Sequence, residues 1–296
     1  MKKVLLWGVG TDYNKNLNLI KYYAGVQFKV VGITARDLPN CKFIDGYSLI
    51  PIQMLNEYEF DYIIVMNQRY YLEILQEANL ITGIGLDRIF PCRVLSIPYF
   101  DFNKLTEISE IHYSIISNNC WGGILCHTLG IESRSPFKNV AIKGNDFLKI
   151  TKSFDKYMQE EPVFENRCEL DTNSGKIVPV LKLGDVMIKC SHYPNPYEAI
   201  ELWQKRKLRI NTKALLFEMY TESIEIAREF DEIKIPYKKI CFVPFETEYE
   251  SCITLRKQRG QRKFYETVND AVSICSNGLN YNIFSLFSDA IVQRQF

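Results

Sequence analysis

The chain has 296 residues, room for two domains with ordinary cores. Hydrophobic residues make up 47% and charged residues 24%, which excludes a largely disordered chain. The formal net charge of +1 gives no whole-molecule case for nucleic acid as a partner, because that case rests on a strongly basic domain.

Lys3 to Trp7 reads as a short apolar strand, Gly8-Val9-Gly10 as a turn, and Asn14 to Tyr23 as a helix. Met1-Lys2-Lys3 ahead of so short a run begins a first strand, not a signal peptide, so the expected compartment is cytoplasmic. Phe28 to Ile33 is a second strand and Tyr47 to Ile50 a short third one. Pro51 suits the first position of a helix reaching Asn56. Tyr62 to Met66 is apolar throughout, as a strand covered on both faces would be, and Tyr70 to Ala78 is helical. Strands alternating with helices predict a mostly parallel, Rossmann-like sheet. Gly8 to Tyr13 begins like a dinucleotide fingerprint. However, Tyr13 stands where the third glycine belongs, and Thr34-Ala35 stand where an acid should end the second strand. The expectation is a Rossmann-shaped domain without a dinucleotide.

Pro91 and Pro98 break the periodicity, and a linking helix is expected over Asp101 to Ile111. The expected domains are 1–104, Rossmann-like, and 105–296, mixed α/β. In the second, Tyr113 to Ile116 is a strand, Trp121 to Gly130 a helix ending in glycine, and Asn139 to Lys143 a strand. A helix follows from Asn145 or Asp146 to Met158. Lys176 to Leu181 and Asp185 to Cys190 form a hairpin, with Pro179 suggesting an edge strand. Asn195, Pro196 and Glu198 mark the start of a capped helix, whose end carries Lys205, Arg206, Lys207 and Arg209. Leu215 to Tyr220 and Lys239 to Pro244 are strands, with a helix from Glu222 to Phe230 between them. Arg256 to Lys263 is a basic loop, and Ile283 to Gln293 closes the chain as a helix.

Tyr113 to Ile131 contains no Asp, Glu, Lys or Arg, but its asparagines, serines, His127 and paired glycines make it a buried strand and helix, not a membrane span. The nine cysteines are scattered, contain no Cys-x-x-Cys pair and are accompanied by three histidines, so no metal site is expected.

The chemistry-bearing stretch is Ser117-Asn118-Asn119-Cys120-Trp121-Gly122-Gly123, between a strand and a helix. Backbone N–H groups and the helix dipole at such a turn favour an anion or a thiolate. Gly122 and Gly123 would leave room for a phosphate, and the amides of Asn118 and Asn119 would face an oxyanion. Two functional readings are open: an anion-binding turn for a phosphate-containing donor, and a cysteine nucleophile for acyl transfer. The bland alternative is a small buried cysteine in a tight turn. His127 is two helical turns beyond Cys120, about 10 Å along the axis, and cannot serve it. His192, in a loop before the capped helix, is the candidate base. Arg206 and Arg209 share a helical face, and Arg134 stands among serines; all three are candidates to hold a phosphate or carboxylate. No Asp-x-Asp pattern marks a metal-dependent glycosyltransferase.

The N-terminal pattern resembles the small Rossmann-like domains attached to bacterial sugar-modifying enzymes. The seven-residue cluster carries a second likeness, with Ser135-Pro136-Phe137, Lys182 to Val186, His192-Tyr193-Pro194 and Trp203-x-x-Arg206-x-x-Arg209-Ile210-Asn211. Over Ile111 to Thr254 the chain resembles a bacterial domain family of unknown function, often found among exopolysaccharide and capsule genes. That resemblance implies a two-part α/β fold and, by association, a surface-polysaccharide pathway; together with the Ser117–Gly123 turn, the expectation is a transferase that binds a phosphate-containing sugar or acyl donor and takes a carbohydrate acceptor. It assigns no catalytic residue and no cofactor. A non-enzymatic binding or regulatory module of the same pathway is the alternative.

Overall fold

The computed structural model describes residues 1–171, 175–193, 195–256, 263–270 and 282–287. The chain is α/β and divides into two compact units: residues 1–111 with 127–132, and residues 112–126 with 133–296.

The first unit begins with β1 (Lys3–Trp7), α1 (Thr11–Tyr23) and β2 (Lys29–Thr34). The small antiparallel pair β3 (Phe43–Ile44) and β4 (Tyr47–Ser48) follows, then β5 (Tyr62–Val65), α2 (Tyr71–Thr82), β6 (Ile89–Pro91) and α3 (Phe102–Ile111). The sheet order is β2-β1-β5-β6, parallel throughout. Alternate residues of β1 and β5 point to opposite faces, and both sets are buried. Leu5, Trp7, Ile63 and Val65 share a core with Tyr71 and Ala78 of α2. Residues 52–57, expected as α-helix, form a 3-10 turn; Met54 N–H donates to Pro51 and Tyr58 N–H to Leu55.

The second unit contains two sheets. Its elements are β7 (Ser114–Ser117), α4 (Trp121–Leu129), β8 (Ala141–Ile142), α5 (Gly144–Lys152), α6 (Phe154–Gln159) and β9 (Val163–Asp171). Then come β10 (Lys176–Leu183), β11 (Val186–Lys189), α7 (Pro196–Lys207), β12 (Leu215–Tyr220), α8 (Ile224–Glu232), β13 (Lys238–Val243), β14 (Cys252–Thr254) and α9 (Phe264–Asp270). One sheet, β14-β13-β12-β7, is parallel; the other, β8-β11-β10-β9, is antiparallel. A single core joins Phe217 and Cys241 of the parallel sheet, Leu181 and Ile188 of the antiparallel one, and Phe147, Phe230 and Trp203 of the helices. Phe137, from the Ser135-Pro136-Phe137 segment, packs edge-on against Trp203 with ring centres 4.9 Å apart.

Several local expectations change. Pro179 lies in an inner strand, not at an edge, because β9 pairs along β10 on the side opposite β11. The missing N–H is absorbed where the β9–β10 register shifts between Pro179 and Leu181. The single helix expected up to Met158 is two, interrupted at Ser153 with an extended φ of −137°. The expected strand over Asn139 to Lys143 shrinks to Ala141–Ile142, and Asn139 takes a left-handed φ of 61°. Asn195 caps α7 as its type suggests, accepting from Tyr197 N–H at 2.9 Å. Ile283–Phe287 is a 3-10 turn, and the rest of the expected terminal helix lies outside the described residues, as does most of the basic loop after Arg256. Among the described residues, no helix is long and apolar enough to cross a membrane.

Candidate active site

The Ser117–Gly123 segment is the turn from β7 into α4, and the second unit's chemistry collects around it. Asn118 extends the β7–β12 pairing with its side chain. Its Oδ1 accepts from Tyr220 N–H at 3.0 Å and its Nδ2 donates to Tyr220 O at 3.2 Å. Asn119 is buried. Its Nδ2 donates to Asn118 Oδ1 at 2.8 Å and to the Glu218 carboxyl at 2.8 and 3.0 Å. Its Oδ1 accepts from Trp121 N–H at 2.6 Å, which satisfies one of the open donors at the start of α4. The two asparagine amides therefore build the turn, and Asn119 also borders the cleft.

The glycines also answer to packing. A Cβ on Gly122 would stand 2.5 Å from Ser117 Oγ and 2.9 Å from Ile115 Cγ2. One on Gly123 would stand 2.9 Å from Asn139 Oδ1. Gly122 thus lets α4 lie directly on β7. Ser117 sits beneath it, buried, with no hydrogen-bond partner of ordinary geometry for its Oγ.

Glu218, at the centre of β12, lies opposite Ser117 and is wholly buried. Burial pushes its carboxyl up to about 8, while the hydrogen bond from Asn119, and the neighbouring Ser117, pull the other way. It is therefore chiefly the protonated acid at neutral pH. Sequence reasoning missed it. The available signal was a lone acid inside the otherwise apolar run Leu215 to Tyr220.

Cys120 points the other way, into a cleft of about 690 Å³. Its Sγ lies 3.2 Å from Nε2 of His192, an exposed side chain in the loop between β11 and α7. These two candidates, 72 residues apart, are brought together. Burial first, then the charges of Asp171 and Glu218, push the Cys120 thiol up to about 11. The resting sulfur is thus a thiol beside an imidazole rather than a preformed thiolate.

The cleft wall is aromatic and mixed polar. Tyr193, Tyr220 and Tyr265 line it with Asn119, Ser191, Asp171, Lys176 and Asn269. None of the tyrosines was a candidate from sequence, because an aromatic at a strand or helix end is as readily core as cleft wall. The candidate arginines stand elsewhere. Arg206 donates to the Tyr193 hydroxyl and lies over its ring, 5.8 Å from the centroid. Tyr193 in turn donates to the Lys138 carbonyl at 2.9 Å. Burial, then Arg206 and later Arg209, lower the pKa of Lys138, so these three cations form one group next to Tyr193. Arg134 is half-buried before Ser135, and neither it, Arg206 nor Arg209 lines the cleft. His127 faces Arg93, 2.9 Å from Nη1, and takes no part at Cys120.

Comparison with known proteins adds a family but no activity. Residues 1–90 match a family described as "C2185-like, N-terminal". A Haemophilus influenzae protein described as "Uncharacterized protein" is 31% identical over 131 residues, covering 43% of this chain and 60% of that protein. A further match runs over residues 92–287, well over half the chain, taking in Cys120, His192 and the cleft wall. The chain belongs to the family described as "Domain of unknown function (DUF1919)".

Proposed function

We propose that this protein is a cysteine-dependent acyltransferase. One observation carries the reading: a cysteine at a strand-to-helix turn, opening on a cleft, with an imidazole nitrogen 3.2 Å from its sulfur. Cys120 Sγ attacks the acyl carbonyl carbon of a donor, and His192 Nε2 takes the thiol proton. The tetrahedral adduct collapses, the donor's leaving group departs with that proton, and the acyl group remains on sulfur. An acceptor hydroxyl then attacks the thioester while His192 removes its proton, and returning that proton restores the Cys120 thiol.

Two finer parts of the reading have separate support. A phosphate-containing donor is suggested by the Lys138, Arg206 and Arg209 group behind Tyr193, a local positive field in a chain of nearly zero net charge. A carbohydrate acceptor in bacterial surface-polysaccharide synthesis is suggested by the likeness carried by the Ser117–Gly123 segment.

The test is intact-mass analysis after incubation with acyl-coenzyme A and other activated acyl donors. Acylation of the wild-type chain and none of Cys120→Ala is the expected outcome. Equal acylation of both, or of neither across the donor panel, contradicts the proposal.

A second reading has one observation in its favour. Burial that holds the Cys120 thiol up near 11 suits an unreactive cysteine in the wall of a binding cleft. A binding module of the same pathway would show thermal stabilisation by sugar nucleotides, at concentrations well above their dissociation constants, unchanged in Cys120→Ala.

A further inference from the structure

A different pair of thiols lies on the same sheet, away from the cleft wall. β13 and β14 are parallel neighbours, and Cys241 stands directly opposite Cys252 in their register. Paired strands lie about 4.8 Å apart. That separation falls inside the Cα range a disulfide spans, roughly 4.4–6.8 Å. Opposed residues of paired strands also project to the same face. Among the described residues, no other two cysteines face each other across a strand pair. Both are free thiols, and each shifts the titration of the other.

The two partners differ in a useful way. Cys241 is fully buried in the core, whereas Cys252 is partly exposed at the start of the edge strand. The hydrogen bond from Cys241 lowers the Cys252 pKa, with Ser251 and Lys239 adding to it against the opposing effects of burial and Asp231. Cys241 is shifted the other way by the same contact and by burial. The edge is firmly seated: Cys241 N–H donates to Ser251 O at 2.7 Å, and Asp231 Oδ1 accepts from Ser251 N–H and Oγ–H at 2.8 and 2.7 Å.

We propose that Cys241 and Cys252 are a redox modification site, a dithiol that hydrogen peroxide converts to a reversible disulfide. The Cys252 thiolate attacks one peroxide oxygen, the O–O bond breaks, and hydroxide leaves and is protonated to water. The Cys241 sulfur then attacks the Cys252 sulfenic acid. The S–S bond forms as the S–O bond breaks, and the departing hydroxyl takes the Cys241 proton as a second water. Both sulfurs are oxidised and one peroxide is reduced.

The experiment treats the full chain with hydrogen peroxide, blocks remaining thiols with a neutral alkylating agent, and maps the peptides. After cleavage at Glu246, Glu248 and Glu250, which lie between the two cysteines, a linked pair of peptides holding Cys241 and Cys252, two hydrogens lighter than the reduced peptides and separated by dithiothreitol, is expected. Oxidised wild type should melt a few degrees higher than reduced, and Cys252→Ser, changed at the partly exposed position, should show neither link nor shift. Alkylation of both thiols after peroxide, or a Cys252 sulfinic acid with Cys241 still alkylated, overturns the proposal.

Discussion

The two units offer the same structural opportunity and use it differently. In each, a strand of a parallel sheet, internal in the first unit and at the edge in the second, leads through a short turn into a helix. At the first turn, Gly8 takes a φ of 122°, donates to Thr34 O at 2.7 Å, and α1 begins at Gly10 without a side-chain cap. Asp12 in the opening turn accepts from Gln68 N–H, and the buried Tyr13 hydroxyl donates to Asp45. Cys92, fully buried, lies in the field of Asp12, and burial first, then that charge, pushes its thiol up to about 11. At the second turn, Asn119 supplies the cap, Glu218 reaches it from the neighbouring strand, and His192 reaches Cys120 from the other sheet's loop. The lesson is that this topology supplies a position. Side chains from distant segments decide whether chemistry occupies it.

If Glu218 anchors the second turn, its removal has the largest effect on stability. Glu218→Ala leaves a cavity and an unpaired buried amide on Asn119, an expected loss of about 2–4 kcal/mol in denaturant unfolding. Glu218→Gln keeps the volume and should lose much less. A loss below about 0.5 kcal/mol for Glu218→Ala would mean the turn is held without it.

The glycines provide a sharper contrast. Gly122→Ala must displace Ser117 and Ile115, and an expected cost of about 1–3 kcal/mol follows from overpacking. Gly10 has nothing within 4 Å of an added Cβ, so Gly10→Ala should stay within about 1 kcal/mol of wild type. Equal costs for the two would erase the distinction between the turns.

The fold was readable where periodicity and caps carry it. The apolar strand Tyr62–Val65 and the Asn195-Pro196 start of α7 needed only local physics. Pro179 misled, because its meaning depends on a partner strand, β9, whose mixed, largely exposed sequence has little apolar alternation. His192 was reachable from its loop position before α7, once helical rise removed His127. Its contact with Cys120 was not, because a long-range approach leaves no spacing signal. The three cleft tyrosines were illegible for the same reason, whereas Glu218 stood out as a lone acid in an apolar run. The hydrogen bonds of Asn118 and Asn119 and the packing of Gly122 and Gly123 build the bend, and of these four Asn119 also borders the cleft.

A smaller effect comes from pH. Glu218 titrates near 4.5 when unfolded and near 8 when folded, so the folded state holds the proton longer. Its contribution to stability is fully present below about 4.5 and is lost as pH rises through about 8. The slope is at most roughly 1.4 kcal/mol per pH unit. Unfolding curves across that window should flatten in Glu218→Gln. An identical slope in the variant would place the titration elsewhere.

The central claim is that His192 makes Cys120 reactive in a thiol that burial otherwise silences. The most direct measurement is the rate at which a small neutral thioester acylates Cys120, followed by peptide mapping from neutral pH upward in wild type and His192→Ala. Wild type should acylate near neutrality, and the variant should be slower by about 10²–10⁴-fold there, recovering as pH approaches the thiol's own value of about 11. Equal rates in the two proteins at neutral pH would contradict the account.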